Sequence, residues 1–129
     1  HGALARRLRF ANPRLTVEQA EFLSRAVSRV TDDGSVEMAC DPWHKVASPA
    51  LYRVEDAMAA WRRVTAPVLM VIAEKGFVNT RFGQEPDEFQ RRIGSFSNVQ
   101  IHTVADAGHN VHHDQPEIVA GLLEGFLRR

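Results

Sequence analysis

Only one cysteine, Cys40, occurs in the 129 residues. A lone cysteine cannot close an internal disulfide, and no Cys-x-x-Cys pair is present, so cysteine usage points to a cytoplasmic protein. Long apolar runs are missing too. Nothing approaches the ~20 residues that cross a bilayer, and no charged start followed by an apolar stretch marks a signal peptide. Neither sign of charge is in excess: 16 basic and 16 acidic residues are mixed along the chain. That gives no electrostatic case for nucleic acid or an anionic membrane as partner. Lysine is scarce, with only Lys45 and Lys75. The arginines of the first ten residues read as a solvated helix face. Methionine does not open the chain, which starts His1-Gly2, so it is expected to be part of something longer. Repeats and low-complexity stretches are absent, and the length is that of one domain.

What is present divides at Pro67. Before it the pattern is helix and loop. Thr16 with Gln19 fits a capping box, and Ala20, Leu23, Ala26, Val27 and Val30 recur at helical spacing, predicting a helix from about 16 to 30. Asp32-Asp33-Gly34 ends it as a turn. Asp41-Pro42 and Ser48-Pro49 break regular structure over 35–48. A second helix is predicted from about 54 to 63, with Val54, Met58 and Trp61 on one side as packing residues. Cys40 is expected to be small and buried. Trp43 and His44 have two readings: they line a substrate pocket, or Trp43 serves as packing.

After Pro67, Val68-Leu69-Met70-Val71-Ile72-Ala73 is apolar without alternation, as in a parallel strand covered on both faces. A helix is predicted over 86–93, with Pro86 first and Asp87 and Glu88 near its positive end. Val99 to Val104 reads as another strand, and Pro116 opens a last helix with Val119, Leu122, Leu123 and Phe126 on one stripe. Strand, helix, strand, helix implies a parallel α/β sheet. A strand as apolar as 68–73 expects neighbours on both edges, and this chain offers one. Missing strands are therefore expected from an N-terminal part or from self-association.

The chemistry concentrates in Gly108-His109-Asn110-Val111-His112-His113-Asp114-Gln115-Pro116-Glu117. This segment follows the second strand, and functional groups of open α/β sheets gather at the carboxyl ends of strands. Gly108 permits a sharp backbone turn, and a neutral imidazole at His109 can accept a proton near neutral pH. A metal site from His109, His112 and His113 is a minor alternative, because His112 and His113 are expected to point apart and no Cys or Glu completes a ligand spacing. Asp106 is expected to shape the turn, and Asp114 to be a cap or dipole partner for the last helix.

Gly-His-x-x-His-x-x-x-Pro-Glu between a short strand and a terminal amphipathic helix resembles the catalytic-histidine segment of α/β-hydrolases, and Ala66-Pro67-Val68-Leu69-Met70-Val71 resembles the strand before it in that fold. The resemblance implies an α/β fold class: the C-terminal portion of an α/β-hydrolase fold, parallel strands flanked by helices, preceded by helical cap segments. Residues 1–65 correspond to the C-terminal part of the cap and 66–129 to the C-terminal part of the core. The stretch from Asn12-Pro13-Arg14-Leu15 through Asp41-Pro42 to Trp61 resembles the serine hydrolase-like branch. His109 is then the general base, and His112 and Gly108 support it.

Two departures accompany the resemblance. Members present the nucleophile in Gly-x-Ser-x-Gly; none of Ser24, Ser28, Ser35, Ser48, Ser95 and Ser97 has that context. The strand ending at Ala73 is commonly followed by Gly-x-x-Asp, whose aspartate orients the histidine, but here Gly76 falls where that aspartate is expected. Some relatives carry the acid after the preceding strand instead; Glu74 is two residues out of place for the role. The resemblance thus implies a hydrolase acting on an ester-type bond of a small apolar substrate, with nucleophile and acid outside this chain and no cofactor. Two alternatives stand beside it. One is a non-catalytic fragment or pseudoenzyme serving as a binding module. The other is an epoxide hydrolase or haloalkane dehalogenase-like enzyme with an aspartate nucleophile.

Overall fold

The computed structural model describes residues 1–128. They fall into two compact units, His1–Ala50 and the residues from Leu51 onward.

In the first unit, helices α1 (Gly2–Ala11) and α2 (Val17–Ala26) pack through Ala5, Leu15 and Ala20, with Leu8 and Leu23 against them. Arg6, Arg7 and Arg9 are exposed on α1, as a solvated face requires. Helix α2 starts at the capping box read from the sequence. The Gln19 N–H donates to Thr16 Oγ1 at 3.1 Å, and the Thr16 N–H to Gln19 Oε1 at 2.8 Å.

The helix is shorter than the periodicity predicts. After Ala26 the chain turns into β1 (Ser28–Val30), which pairs antiparallel with β2 (Val36–Met38), Val30 opposite Val36. Two features override the helical pattern. Val27 and Val30 are β-branched and tolerate a strand well, and Gly34, at φ +81, supplies the left-handed residue that the hairpin turn needs. Asp33 Oδ1 accepts the Ser35 N–H at 3.0 Å and closes the turn from within. A short 3-10 turn, Pro42–Lys45, follows.

The second unit contains α3 (Val54–Trp61), β3 (Val68–Ala73), α4 (Phe77–Phe82), α5 (Pro86–Ile93), β4 (Val99–Val104), the single turn α6 (Val111–Asp114) and α7 (Pro116–Leu127). Both strands and the helices at 54, 86 and 116 lie where periodicity and proline placement put them. Met58 is buried, and Trp61 stacks on Phe96 with ring centroids 5.3 Å apart, so both are packing residues. Helix α5 is held to its own first turn by Glu88, which takes Arg91 Nε at 2.6 Å and Arg92 Nε at 2.7 Å. Those two guanidiniums lower the Glu88 carboxyl to about 2.

Strands β3 and β4 pair in parallel, Val68 opposite Val99 through Ala73 opposite Val104. The core of this unit lies at their carboxyl ends: Ala73, Val104 and Ala107, with Val71, Val111 and Leu122 packed against them. Among the described residues β3 and β4 pair only with each other. Val68 to Val71 are only half-buried, and Ile101 on β4 is 38% exposed. A two-stranded sheet with apolar residues at its surface invites further pairing. The chain by itself is therefore expected to self-associate or to melt without a cooperative transition. Sedimentation velocity with a thermal melt checks this, and a monomer with one sharp unfolding transition would contradict it.

Candidate active site

The candidate site is the loop between β4 and α6, and its position follows from the strand pairing. Because β3 and β4 run parallel and end together at Ala73 and Val104, the loops after both strands emerge at one edge. They are tied to each other by backbone groups. The Glu74 N–H donates to the Val104 carbonyl and the Lys75 N–H to the Ala107 carbonyl, each at 2.9 Å. Ala107 is fully buried and anchors the loop to the core below.

Between those anchors the chain makes a tight turn at Asp106, whose φ is +48. Aspartate tolerates this left-handed conformation better than most residues with a side chain. Three groups fix it. The Asp106 N–H donates to Glu74 Oε2 at 2.8 Å, Lys75 Nζ approaches Asp106 Oδ1 at 2.9 Å, and Gln115 Nε2 reaches the Asp106 carbonyl at 3.4 Å. The lysine pair is exposed and adds little by itself. The turn-shaping part expected of Asp106 is what the structure shows. Glu74 uses a carboxylate oxygen to hold that turn.

Gly108 and His109 come next. Gly108 is half-buried, and its N–H donates to Asp114 Oδ2 at 2.6 Å. His109 is exposed at a bend. The Asp114 contact differs from the capping half of the expectation that this residue is a cap or dipole partner for the last helix. Helix α7 begins at Pro116 with Gln115 in the capping position and no side-chain cap. Asp114 instead ends the turn α6, from which its carboxylate reaches back across six residues to the backbone ahead of His109.

His112 and His113 do not point apart as expected. Their rings meet edge to face, with centroids 4.2 Å apart, because both sit on the one short turn between Asn110 and Gln115. Burial pushes the His113 imidazole below its ordinary value; the neighbouring His112 adds to this, and Asp114 opposes it. Among the described residues no three His, Cys, Asp or Glu side chains are grouped to hold a metal ion.

Gly108 and His109 thus lie on this loop and His112 on the α6 turn that follows it, all in the second unit. Trp43 and His44 belong to the first unit, where both are exposed in the 3-10 turn, Trp43 at 77%. Cys40 is exposed rather than buried, in a stretch from Glu37 to Arg53 that is exposed throughout. None of the serines occupies a strand-to-helix elbow. Ser24 lies within α2, Ser28 starts β1, Ser35 closes the hairpin, Ser48 is in the exposed stretch, and Ser95 and Ser97 lie between α5 and β4. A cavity of about 350 Å³ lined by Pro67, Asn98, Gln100, Phe126 and Leu127 sits at the amino ends of the strands, the edge away from His109, and no titratable side chain lines it.

Against this geometry the comparisons with known proteins are direct. A family model described as the alpha/beta hydrolase family matches residues 1–122. The chain belongs to the alpha/beta hydrolase family. Solved structures share its fold. A crystal structure of E-2-(acetamidomethylene)succinate hydrolase aligns with 98% of this chain at TM-score 0.71 and 18% identity. A thioesterase domain from the curacin biosynthetic pathway aligns with 96% at TM-score 0.73 and 20% identity. An esterase from Mycobacterium tuberculosis aligns with 98% at TM-score 0.73 and 22% identity. Identities this low establish the fold alone. The chain spans 45%, 42% and 42% of those three proteins, less than half of each. No curated protein matches the sequence. The helices and the small parallel sheet fit a C-terminal portion of the alpha/beta hydrolase fold, and no helix among the described residues is long and apolar enough to cross a membrane.

Gly76 stands at the position where the sequence resemblance led one to expect an aspartate, and the local backbone is tight there. A Cβ at Gly76 would stand 2.9 Å from the Ala73 Cβ and 3.1 Å from the Ala73 carbonyl oxygen. Gly76 is also the N-cap of α4, where aspartate is ordinarily welcome. Any loss from Gly76→Asp therefore isolates the steric conflict. Gly76→Asp and Gly76→Ala are both expected to destabilise the protein by about 1–3 kcal/mol, the cost of overpacking. Hydrogen exchange of the β3–β4 ladder amides checks it, and a Gly76→Asp chain whose ladder exchanges as slowly as that of the parent would contradict it.

Proposed function

We propose that this chain carries the general-base histidine of an ester-type hydrolase whose nucleophile and orienting acid lie outside these residues. The supporting observation is the placement of His109. It is exposed at the carboxyl edge of two parallel strands, on a loop pinned from both sides, in a chain of the alpha/beta hydrolase family. An imidazole held there can take the proton of an attacking hydroxyl, pass it to the departing alkoxide or thiolate, and, neutral again, take a proton from the water that cleaves the acyl-enzyme, returning it to the nucleophile's oxygen. The named hydrolase, thioesterase and esterase of the same fold favour an acyl bond as the target over an epoxide or a carbon–halogen bond. The substrate in this reading is a small apolar ester or thioester.

Residues 1–65 are proposed as the end of a helical cap and 66–129 as the end of the core. Trp43 and His44, exposed on the cap side, would contact substrate, while Gly108 and His112 support His109. The partner of this portion is the rest of the sheet, supplied by an N-terminal part of the protein or, failing that, by a second copy. No cofactor enters this mechanism.

On this reading the chain alone shows no triad-dependent hydrolysis: its rate on an activated ester such as p-nitrophenyl butyrate equals that of His109→Ala. When the nucleophile-bearing part is joined to it, His109→Ala is expected to lower kcat on the order of 10⁴–10⁶-fold, the loss seen when a triad histidine is removed. Steady hydrolysis by the lone chain that disappears with His109→Ala would overturn the placement of the nucleophile. Full activity of the joined His109→Ala protein would overturn the role of His109.

A further inference from the structure

We infer that Asp114 is a positioning residue that sets the backbone from which His109 projects. This rests on the reading of His109 as the base. The Gly108 N–H donates to Asp114 Oδ2 at 2.6 Å, in a half-buried position directly ahead of His109. A hydrogen bond of this length to a carboxylate is of the strong, charge-assisted kind. It fixes the peptide plane between Ala107 and Gly108 at the point where the loop leaves the core.

The contact completes a clamp of which the other jaw is the end of β3. On that side the Lys75 N–H holds the Ala107 carbonyl and Glu74 holds the Asp106 N–H. The Ala107–Gly108 peptide is therefore held at both ends, its carbonyl by the sheet side and its N–H by α6. Without the Asp114 carboxylate the loop keeps its ties at the Ala107 carbonyl and at the Asn110 carbonyl, which α6 holds, but loses the one at the Gly108 N–H between them. Gly108, the most permissive residue of the segment, then gains rotational freedom between those two ties, and the direction of His109 shifts with it. Small displacements of this kind matter for a base, which has to meet its proton within hydrogen-bond reach.

Two other parts for Asp114 fit less well. It does not cap α7, whose capping position is Gln115. Its carboxylate also bears on His113, raising that group's proton affinity against the effect of burial. That interaction is compatible with the clamp, because the oxygen that accepts from Gly108 is one of two.

The test is residue-resolved hydrogen exchange of the full chain by mass spectrometry, which tolerates self-association. In the parent chain the Gly108 amide is expected to exchange slowly for a loop. In Asp114→Ala its exchange rises roughly 10- to 100-fold, the range for losing a hydrogen bond to a charged acceptor, while the amides of the β3–β4 ladder keep their rates. Asp114→Asn keeps an oxygen at the same place and is expected to restore most of the protection. An unchanged Gly108 rate in Asp114→Ala would overturn the inference. So would a ladder that opens as much as Gly108 does, since Asp114 would then serve the fold rather than the loop. The readout is the loop and not hydrolysis, so this inference and the role of His109 fail separately.

Discussion

Ala73 stands opposite Val104 at the carboxyl ends of two parallel strands, and the candidate site depends on that pairing. Parallel strands that finish together deliver their following loops to the same edge. The backbone N–H groups of Glu74 and Lys75 are then in reach of the Val104 and Ala107 carbonyls. Had the second strand run the other way, the segment containing His109 would lie at the far edge, beside the amino ends. The small buried residues Ala73, Val104 and Ala107 let the two loops approach this closely, and Val71, Val111 and Leu122 cover them.

The same edge shows how one sequence can depart from its family's pattern without losing the scaffold. Where a triad acid commonly follows this strand, the chain has Gly76, in a backbone that leaves no room for a Cβ beside Ala73. The two residues before it have structural work: Glu74 takes the Asp106 N–H, and Lys75 holds both the Ala107 carbonyl and the Asp106 carboxylate. The loop after β3 thus holds the histidine loop in place through the backbone. The proposed function accordingly places the acid that orients the imidazole outside these residues.

Much of the fold was legible because its signals are local. The unbroken run Val68–Ala73, prolines at 86 and 116, and the Thr16–Gln19 box each report on a few neighbouring residues, and each element lies where its signal put it. The hairpin was not legible, because Val27 and Val30 satisfy a helical period and a strand equally. Gly34 decides between them only once Val36–Met38 is there to pair. At the site, Gly108-His109 stood out by its place after a strand. The contact of Asp114 with Gly108 and of Glu74 with Asp106 did not: both are side chain to backbone, one across six residues and one across 32, and no residue pattern marks them. The meeting of His112 with His113 and the exposure of Cys40 likewise depend on chain direction beyond the reach of periodicity.

In the proposed function these residues are one side of a divided active site, with the base and its clamp here and the nucleophile ahead of the cap. The most direct measurement is to read the coding sequence upstream of the codon for His1 in its source. A Gly-x-Ser-x-Gly pentapeptide following an apolar strand, ahead of the cap segments, is the predicted result. An open reading frame that begins at or near this point, or an upstream region with no such elbow, would contradict the account.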